Sequence, residues 1–528
     1  MRKGLTTLIM VLTCCTAWPQ VGNPFLQDFE KFRQQAKSNY EKFRDEANRR
    51  YVDLLRGKWH PYEPEEPLIK PKDNDLPPVI LDEEEARKPI ESRPIKIEGA
   101  PIPLPFAKPQ PEPLAPILAI TPVKPEPVKP DPVKPDPVKT EPVKPDPVKT
   151  EPVKPEPVQP KQEEEPRVSF SYFGTPMSVR FSKSQALHLT ACTADAIADG
   201  WQRMTEKDYD TTLHDCLLLR KRHQMSDWAY LLLLDSVAHA CTAGNEATLM
   251  QSYLYQQSGY KLRMGIADGR LALLFATDHT LYDHPYFRMD GSNYYVYAMK
   301  KADGMQICDA AFPQEQELSL WMRQPLLLAD CPTKPRHLQS RRYADMSIDV
   351  SVNKNLVDFY DHYPPSQTDG SFMTRWAMLA HTPFAGENNK QLLDMLRQKT
   401  EGAGELEAVE RLLNWVQTAF VYEYDDKVWG CDRAFFPDET LYYPYCDCED
   451  RSILLARLIT DLLGLKCALV YYPGHLAMAV CFSEQVAGDY IEWGGQRFVV
   501  CDPTFINARV GRTMTGMDNT AAKLILIQ

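Results

Sequence analysis

Three residues late in the chain have the types and order needed for thiol chemistry: Cys448, His475 and Asp502. Cys448 stands in the run Tyr445-Cys446-Asp447-Cys448-Glu449-Asp450-Arg451-Ser452. His475 follows Pro473-Gly474. Asp502 closes Arg497-Phe498-Val499-Val500-Cys501-Asp502 and precedes Pro503. A cysteine attacks as its thiolate, so it needs a neighbouring base or a lowered pKa. Histidine is the side chain whose ordinary pKa suits that base near neutrality. A carboxylate beside the histidine fixes its ring and stabilises its charged form. The expected chemistry is acyl transfer: the thiolate attacks an amide carbonyl, a thioester forms, and water or an amine resolves it. Water gives a peptidase or amidase, and an amine gives a transamidation.

The elements around these residues explain how they would meet. Ile453, Leu454, Leu455, Leu458, Ile459, Leu462 and Leu463 recur at helical spacing, and Gly464 is placed as a C-terminal cap. Cys448 then sits at the helix N-terminus, beside unpaired backbone N–H groups and the positive end of the dipole. That lowers a thiol pKa and offers donors to an oxyanion. Glu449 and Asp450 suit a first helical turn but oppose part of this effect. Cys467–Tyr472, His475–Phe482 and Arg497–Asp502 read as strands. If the last two pair antiparallel, the start of one lies opposite the end of the other, which sets His475 beside Asp502. A further helix is expected over Glu405–Phe420, with Ala408, Val409, Leu412, Leu413, Val416 and Ala419 on one side.

These segments resemble the transglutaminase-like superfamily of papain-like thiol folds. Asp447-Cys448-Glu449-Asp450 before an apolar helix ending in Leu-Gly is similar to its nucleophile segment. Gly474-His475 opening a strand and Val500-Cys501-Asp502-Pro503-Thr504 closing another are similar to its His and Asp segments. The helix running into Tyr422 resembles the one that precedes the nucleophile. The likeness covers roughly residues 405–510. It implies Cys448 as nucleophile, His475 as general base and acid, and Asp502 as the residue that orients His475. Tyr442 and Trp429 are the candidates for an additional oxyanion donor. Where the family often has His-Ala-Trp, this chain has His475-Leu476-Ala477.

The same residues admit other readings. Cys446, Cys448, His475 and Cys501 are zinc-ligand types, but a Cys-x-Cys pair is closer than usual zinc spacings and no second close pair exists. No metal and no cofactor is therefore expected. Cys448 or Cys446 could form a disulfide with Cys431 or Cys501. Cys192, Cys216 and Cys241 read as small apolar residues in helical patterns.

The rest of the chain is organised by composition. Met1-Arg2-Lys3-Gly4, a short apolar run from Leu5 to Cys15, and Thr16–Gln20 read as a signal peptide over 1–20. The run is too short to span a bilayer, for which about 20 apolar residues are needed. The protein is expected to be exported, to a periplasm or the cell surface. A lipid anchor on Cys14 or Cys15 is the less favoured variant. Loss of those two leaves an odd number of the thirteen cysteines, so at least one thiol stays unpaired if pairing is internal.

Residues 21–60 form an amphipathic helix on the stripe Phe32, Ala36, Tyr40, Phe43, Ala47, Tyr51 and Leu54, which needs a partner surface. Docking on the rest of the chain is the plainer expectation, and a cell-envelope partner the sharper one. Residues 61–166 are expected as a Pro-rich disordered linker. They hold most of the 45 prolines and, over Pro122–Lys161, eight pentads of the Pro-Val-Lys-Pro/Thr-Asp/Glu type. Such a tract buries no core and reads as an extended spacer, on the order of 120 Å for forty residues.

Residues 167–340 are expected as an accessory domain, helical over 184–257 and then an antiparallel meander over 259–312. Ser226 is a helix N-cap there. Asp268-Gly269, Asp290-Gly291 and Asp303-Gly304 are hairpin turns. His239, His279 and His284 have no evident catalytic partners. Residues 341–528 then form the transglutaminase-like domain, and the whole is α+β. A formal charge of −12 without a basic patch argues against nucleic-acid binding. The function expected is a thiol enzyme acting on peptide or protein amide bonds. The alternative is a non-catalytic envelope binding or tethering protein on the same fold.

Overall fold

The structure, a computed structural model, describes residues 24–57, 59–71, 76–104, 165–206, 209–299 and 303–527. The expected signal peptide, with Cys14 and Cys15, and the Pro-Val-Lys pentads lie outside the described residues. The described chain is α+β, and no described helix is long and apolar enough to cross a membrane.

The first helix runs Pro24–Gly57. Its described face docks on this chain. Tyr51 packs against Trp201 at 4.9 Å and Phe312 at 5.4 Å. Trp201 Nε1 donates to Asn48 Oδ1 at 3.0 Å. The buried face is Ala47, Asn48, Tyr51, Val52 and Leu55, while Phe43 of the expected stripe is exposed. Four helices follow at Ala194–Glu206, Tyr209–Arg222, Asp227–Cys241 and Gly244–Gln257. Ser226 caps the third by accepting the Ala229 N–H at 3.3 Å. Cys216 and Cys241 lie in these helices, but Cys192 precedes the first of them.

The accessory sheet has six antiparallel strands in the order Trp59–Tyr62, Met305–Cys308, Leu262–Ala267, Arg270–Thr277, Ser292–Val296 and Tyr286–Met289. Two of the three Asp-Gly pairs make tight hairpins. Asp268 and Gly269 have φ of 49° and 71°, and Asp290 and Gly291 have 50° and 76°, the double positive φ that a type I′ turn needs. Asp303-Gly304 differs. It leads into Met305–Cys308, which pairs with Leu262–Ala267 and Trp59–Tyr62 rather than with the strand before it.

Two boundaries depart from the sequence reading. The linker expected from residue 61 begins as ordered chain. Residues 59–62 supply an edge strand, Val79–Ile80 pair with Phe505–Ile506, Arg93–Pro94 pair with Asp489–Tyr490, and Ile102 bridges Ile525. Proline is tolerated at such edges because one side of an edge strand needs no ladder hydrogen bonds. The division at 340/341 also falls inside a hairpin, Arg336–Gln339 with Ser347–Val350. A single apolar core runs through it, from Tyr51 and Trp228 to Leu454 and Met478.

The second large sheet has the order Lys523–Leu526, Lys466–Tyr472, His475–Cys481, Gln496–Cys501, Asp489–Trp493 and Arg93–Pro94. Against it lies the helix Cys448–Leu463, ended by Gly464 at φ 67°. The helix Glu405–Ala419 packs on that helix in turn.

Candidate active site

Each triad candidate is held by the element expected for it. Cys448 is the first residue of its helix. The helix is fixed at this end by Asp450, whose Oδ1 accepts the Phe435 N–H at 2.8 Å and whose Oδ2 accepts the Asp447 N–H at 3.3 Å. The hairpin Lys466–Tyr472/His475–Cys481 turns on Pro473-Gly474, with Gly474 at φ 78°, so His475 opens the second strand. Met478 pairs with Cys501, so Asp502 lies just past the paired stretch. Its carboxylate reaches back to the histidine: His475 Nε2 lies 2.9 Å from Asp502 Oδ2. The other oxygen, Oδ1, accepts the N–H groups of Thr504 at 2.8 Å and Phe505 at 3.1 Å. Gln417 Nε2 donates to the Asp502 carbonyl at 3.0 Å. The carboxylate orientation is thus set before any substrate arrives.

The thiol sits in the same place. The Leu476 backbone N–H, next to His475, donates to Cys448 Sγ at 3.4 Å. Ser452 Oγ, one turn along the helix, donates to the Leu476 carbonyl at 2.8 Å. Cys448 Sγ also lies 3.3 Å from Glu449 Oε2. All three triad residues are buried, at 1% exposure for Cys448, 2% for His475 and 1% for Asp502.

No family model matches this chain, and no curated protein matches it.

The two oxyanion candidates are held in an aromatic cluster. Trp429 packs on Phe435 and Tyr443, with the Arg433 guanidinium 4.6 Å from its ring centroid. Tyr442 packs on Tyr443 and lies 5.7 Å from Lys354 Nζ. The backbone donor that does reach the sulfur, Leu476 N–H, follows directly from His475 opening a strand.

Several functional-site neighbours escaped the sequence reading. Arg451, fully buried, donates to the carbonyls of Phe420 at 3.0 Å, Gln417 at 3.3 Å and Pro503 at 3.4 Å. It ties the thiol helix to the segment that carries Asp502. The available signal was an arginine directly before the apolar run Ile453–Leu455. Arg375 pairs with Asp432, and its Nη2 lies 3.9 Å from Glu449 Oε1.

Asp425, Asp447 and Glu449 bring carboxylate oxygens within 4.8 Å of one another. An all-oxygen set of this kind could hold a hard cation rather than zinc. Burial together with the nearby charges of Asp425 and Glu449 pushes the Asp450 carboxyl well above its ordinary range. The rival zinc set, Cys446, Cys448, His475 and Cys501, is not gathered among the described residues. The eleven described cysteines, including Cys431, Cys446 and Cys501, are all free thiols. Burial raises the Cys446 and Cys501 thiols, in keeping with cysteines packed in the core.

Proposed function

We propose that this protein is an exported thiol enzyme of transglutaminase-like type, acting on amide bonds of peptides or proteins through Cys448, His475 and Asp502. The observation that carries the reading is the 2.9 Å contact between His475 Nε2 and a doubly anchored Asp502 carboxylate, beside a helix-terminal thiol. Asp502 engages Nε2, so Nδ1 is the nitrogen that takes the thiol proton. The resulting imidazolium is stabilised by the carboxylate. The thiolate attacks the amide carbonyl, and the developing oxyanion meets N–H donors at the helix N-terminus. His475 then protonates the leaving amine. Water or a second amine, deprotonated by His475, attacks the thioester and frees Cys448. Hydrolysis is the default outcome, since water needs no acceptor pocket.

The test compares wild type with Cys448→Ala on a mixture of peptides and envelope proteins, with and without a labelled amine, read by mass spectrometry. Cleavage, deamidation or amine incorporation is expected from wild type and should fall to background in Cys448→Ala. Equal product from both proteins would overturn the reading. The full burial of the triad favours, as second reading, a non-catalytic binding protein that keeps the fold. That reading expects no product from either protein.

A further inference from the structure

Each triad side chain is about as buried as a core leucine, so no polypeptide reaches Cys448 in this conformation. A working thiol site of this kind has to open. Residues 68–71 run from a bridge with Tyr282 toward Asp432, and residues 76–81 lie along the segments that carry His475 and Asp502. Lys70 Nζ donates to the Asp432 carbonyl at 3.0 Å, at the rim of a cavity of about 240 Å³. Asp432 holds Arg375, which faces Glu449 beside the thiol. Leu76 N–H donates at 2.9 Å to the carbonyl of Gly474, the residue directly before His475. The Leu76 carbonyl accepts from Tyr422 Oη at 3.4 Å. Val79–Ile80 run parallel to Phe505–Ile506, and Leu81 N–H donates to the Ile506 carbonyl at 2.9 Å. Phe505 is the residue whose N–H anchors Asp502.

The strap is poorly built as a structural element. Its Leu68, Ile69, Leu76 and Ile80 are 37%, 68%, 37% and 71% exposed. Its strand is two residues long and adds to another of two. Few buried apolar contacts and exposed backbone hydrogen bonds place it among the parts of a protein that open first. Extended chain bonded through its main chain to a sheet edge, with alternate side chains facing in, is also how peptides are recognised.

We infer that residues 68–71 and 76–81 fill, in cis, the cleft by which an extended polypeptide substrate reaches Cys448, so that wild type turns over only through the fraction of molecules in which the strap has lifted. The inference rests on the thiol-enzyme reading above. The substrate it implies is an extended chain that offers backbone N–H groups where Leu76 and Leu81 now offer theirs.

The test uses the full chain, iodoacetamide at neutral pH, and peptide mapping of Cys448. Exposed Cys331 is the positive control, and buried Cys467 reports unfolding. The variant Leu76→Pro/Leu81→Pro removes both N–H donors. Loss of two net hydrogen bonds should speed Cys448 labelling at least about tenfold, with Cys467 unchanged. Equal Cys448 rates in variant and wild type would overturn the inference. If Cys467 labelling rises too, the variant is unfolding. The same comparison is then decided on Val79→Asp, which puts a carboxylate against the Phe505, Ala508 and Met514 cluster and leaves both N–H donors in place. Adding His475→Ala separates the two readings. If the released thiol is fast with or without His475, the strap stands and the catalytic reading fails. If His475→Ala slows Cys448 while the strap variants change nothing, the catalytic reading stands and the strap fails.

Discussion

Two of the places where the described molecule buries charge do so differently. In the accessory region Arg220 and Asp227 pair at 2.6 Å. Tyr260 Oη donates to Asp227 Oδ1 at 2.7 Å, and the Ser319 N–H donates to Oδ2 at 3.0 Å. Arg220 also lies over the rings of Tyr230 and Tyr260. One cation meets one anion, and the anion's oxygens are filled. Around Cys448 the pattern is lopsided. Asp425, Asp447, Glu449 and Asp450 crowd one helix end, all buried, and two arginines, Arg375 and Arg451, lie near. A balanced network rigidifies a core. An unbalanced one is costly, and such clusters are where chemistry or ligands are found.

Breaking the balanced network should give the largest effect. Asp227→Ala leaves Arg220 buried and unpaired, and should cost about 3–5 kcal/mol of stability. Thermal melting reads it as a lower midpoint, while Cys448 labelling of the still-folded protein stays unchanged. A parallel loss of Cys448 reactivity in folded Asp227→Ala would erase the distinction between the regions. On the other side, His475→Ala in the strap-released background should slow Cys448 alkylation on the order of a hundredfold, with the melting midpoint moved far less than by Asp227→Ala.

A smaller effect concerns Glu439, close to the site. Burial raises its carboxyl to about 7, against the pull of Arg433 at 2.7 Å. A raised carboxyl stabilises the fold by binding a proton. That contribution is full below the unfolded pKa of about 4.5 and is lost as pH rises to about 7. Denaturant midpoints should therefore fall between pH 5 and pH 7 in wild type, by on the order of 1–2 kcal/mol from this group. Glu439→Gln should flatten that slope, even if the amide costs some stability at every pH. An unchanged slope would assign the pH dependence to other groups.

Much of the site was legible because its residues sit at element ends. A helix start, a strand start and a strand end are marked by Leu spacing, Pro-Gly and Pro, and these markers placed Cys448, His475 and Asp502 correctly on their elements. What could not be read were contacts between distant segments with no period of their own. Val79–Ile80 and Arg93–Pro94 make two-residue strands. Their partners lie at the far end of the chain, and their prolines read as linker. Asp425 joins Asp447 and Glu449 only after the aromatic loop between them folds. Asp303-Gly304 has the composition of a hairpin turn, yet strand order there is set by the edge strand Trp59–Tyr62, which composition had assigned to other elements.

The ordered chain before residue 105 has one more consequence. Leu104 and Glu165, which flank residues 105–164, both belong to the same described body. A single cut anywhere between them would yield two polypeptides that share one core. The first would still contribute a docked helix, an edge strand and the strap. After such a cut, residues 24–104 and 165–527 are expected to associate as two fragments, and the closed form would then depend on their concentration as any bimolecular complex does.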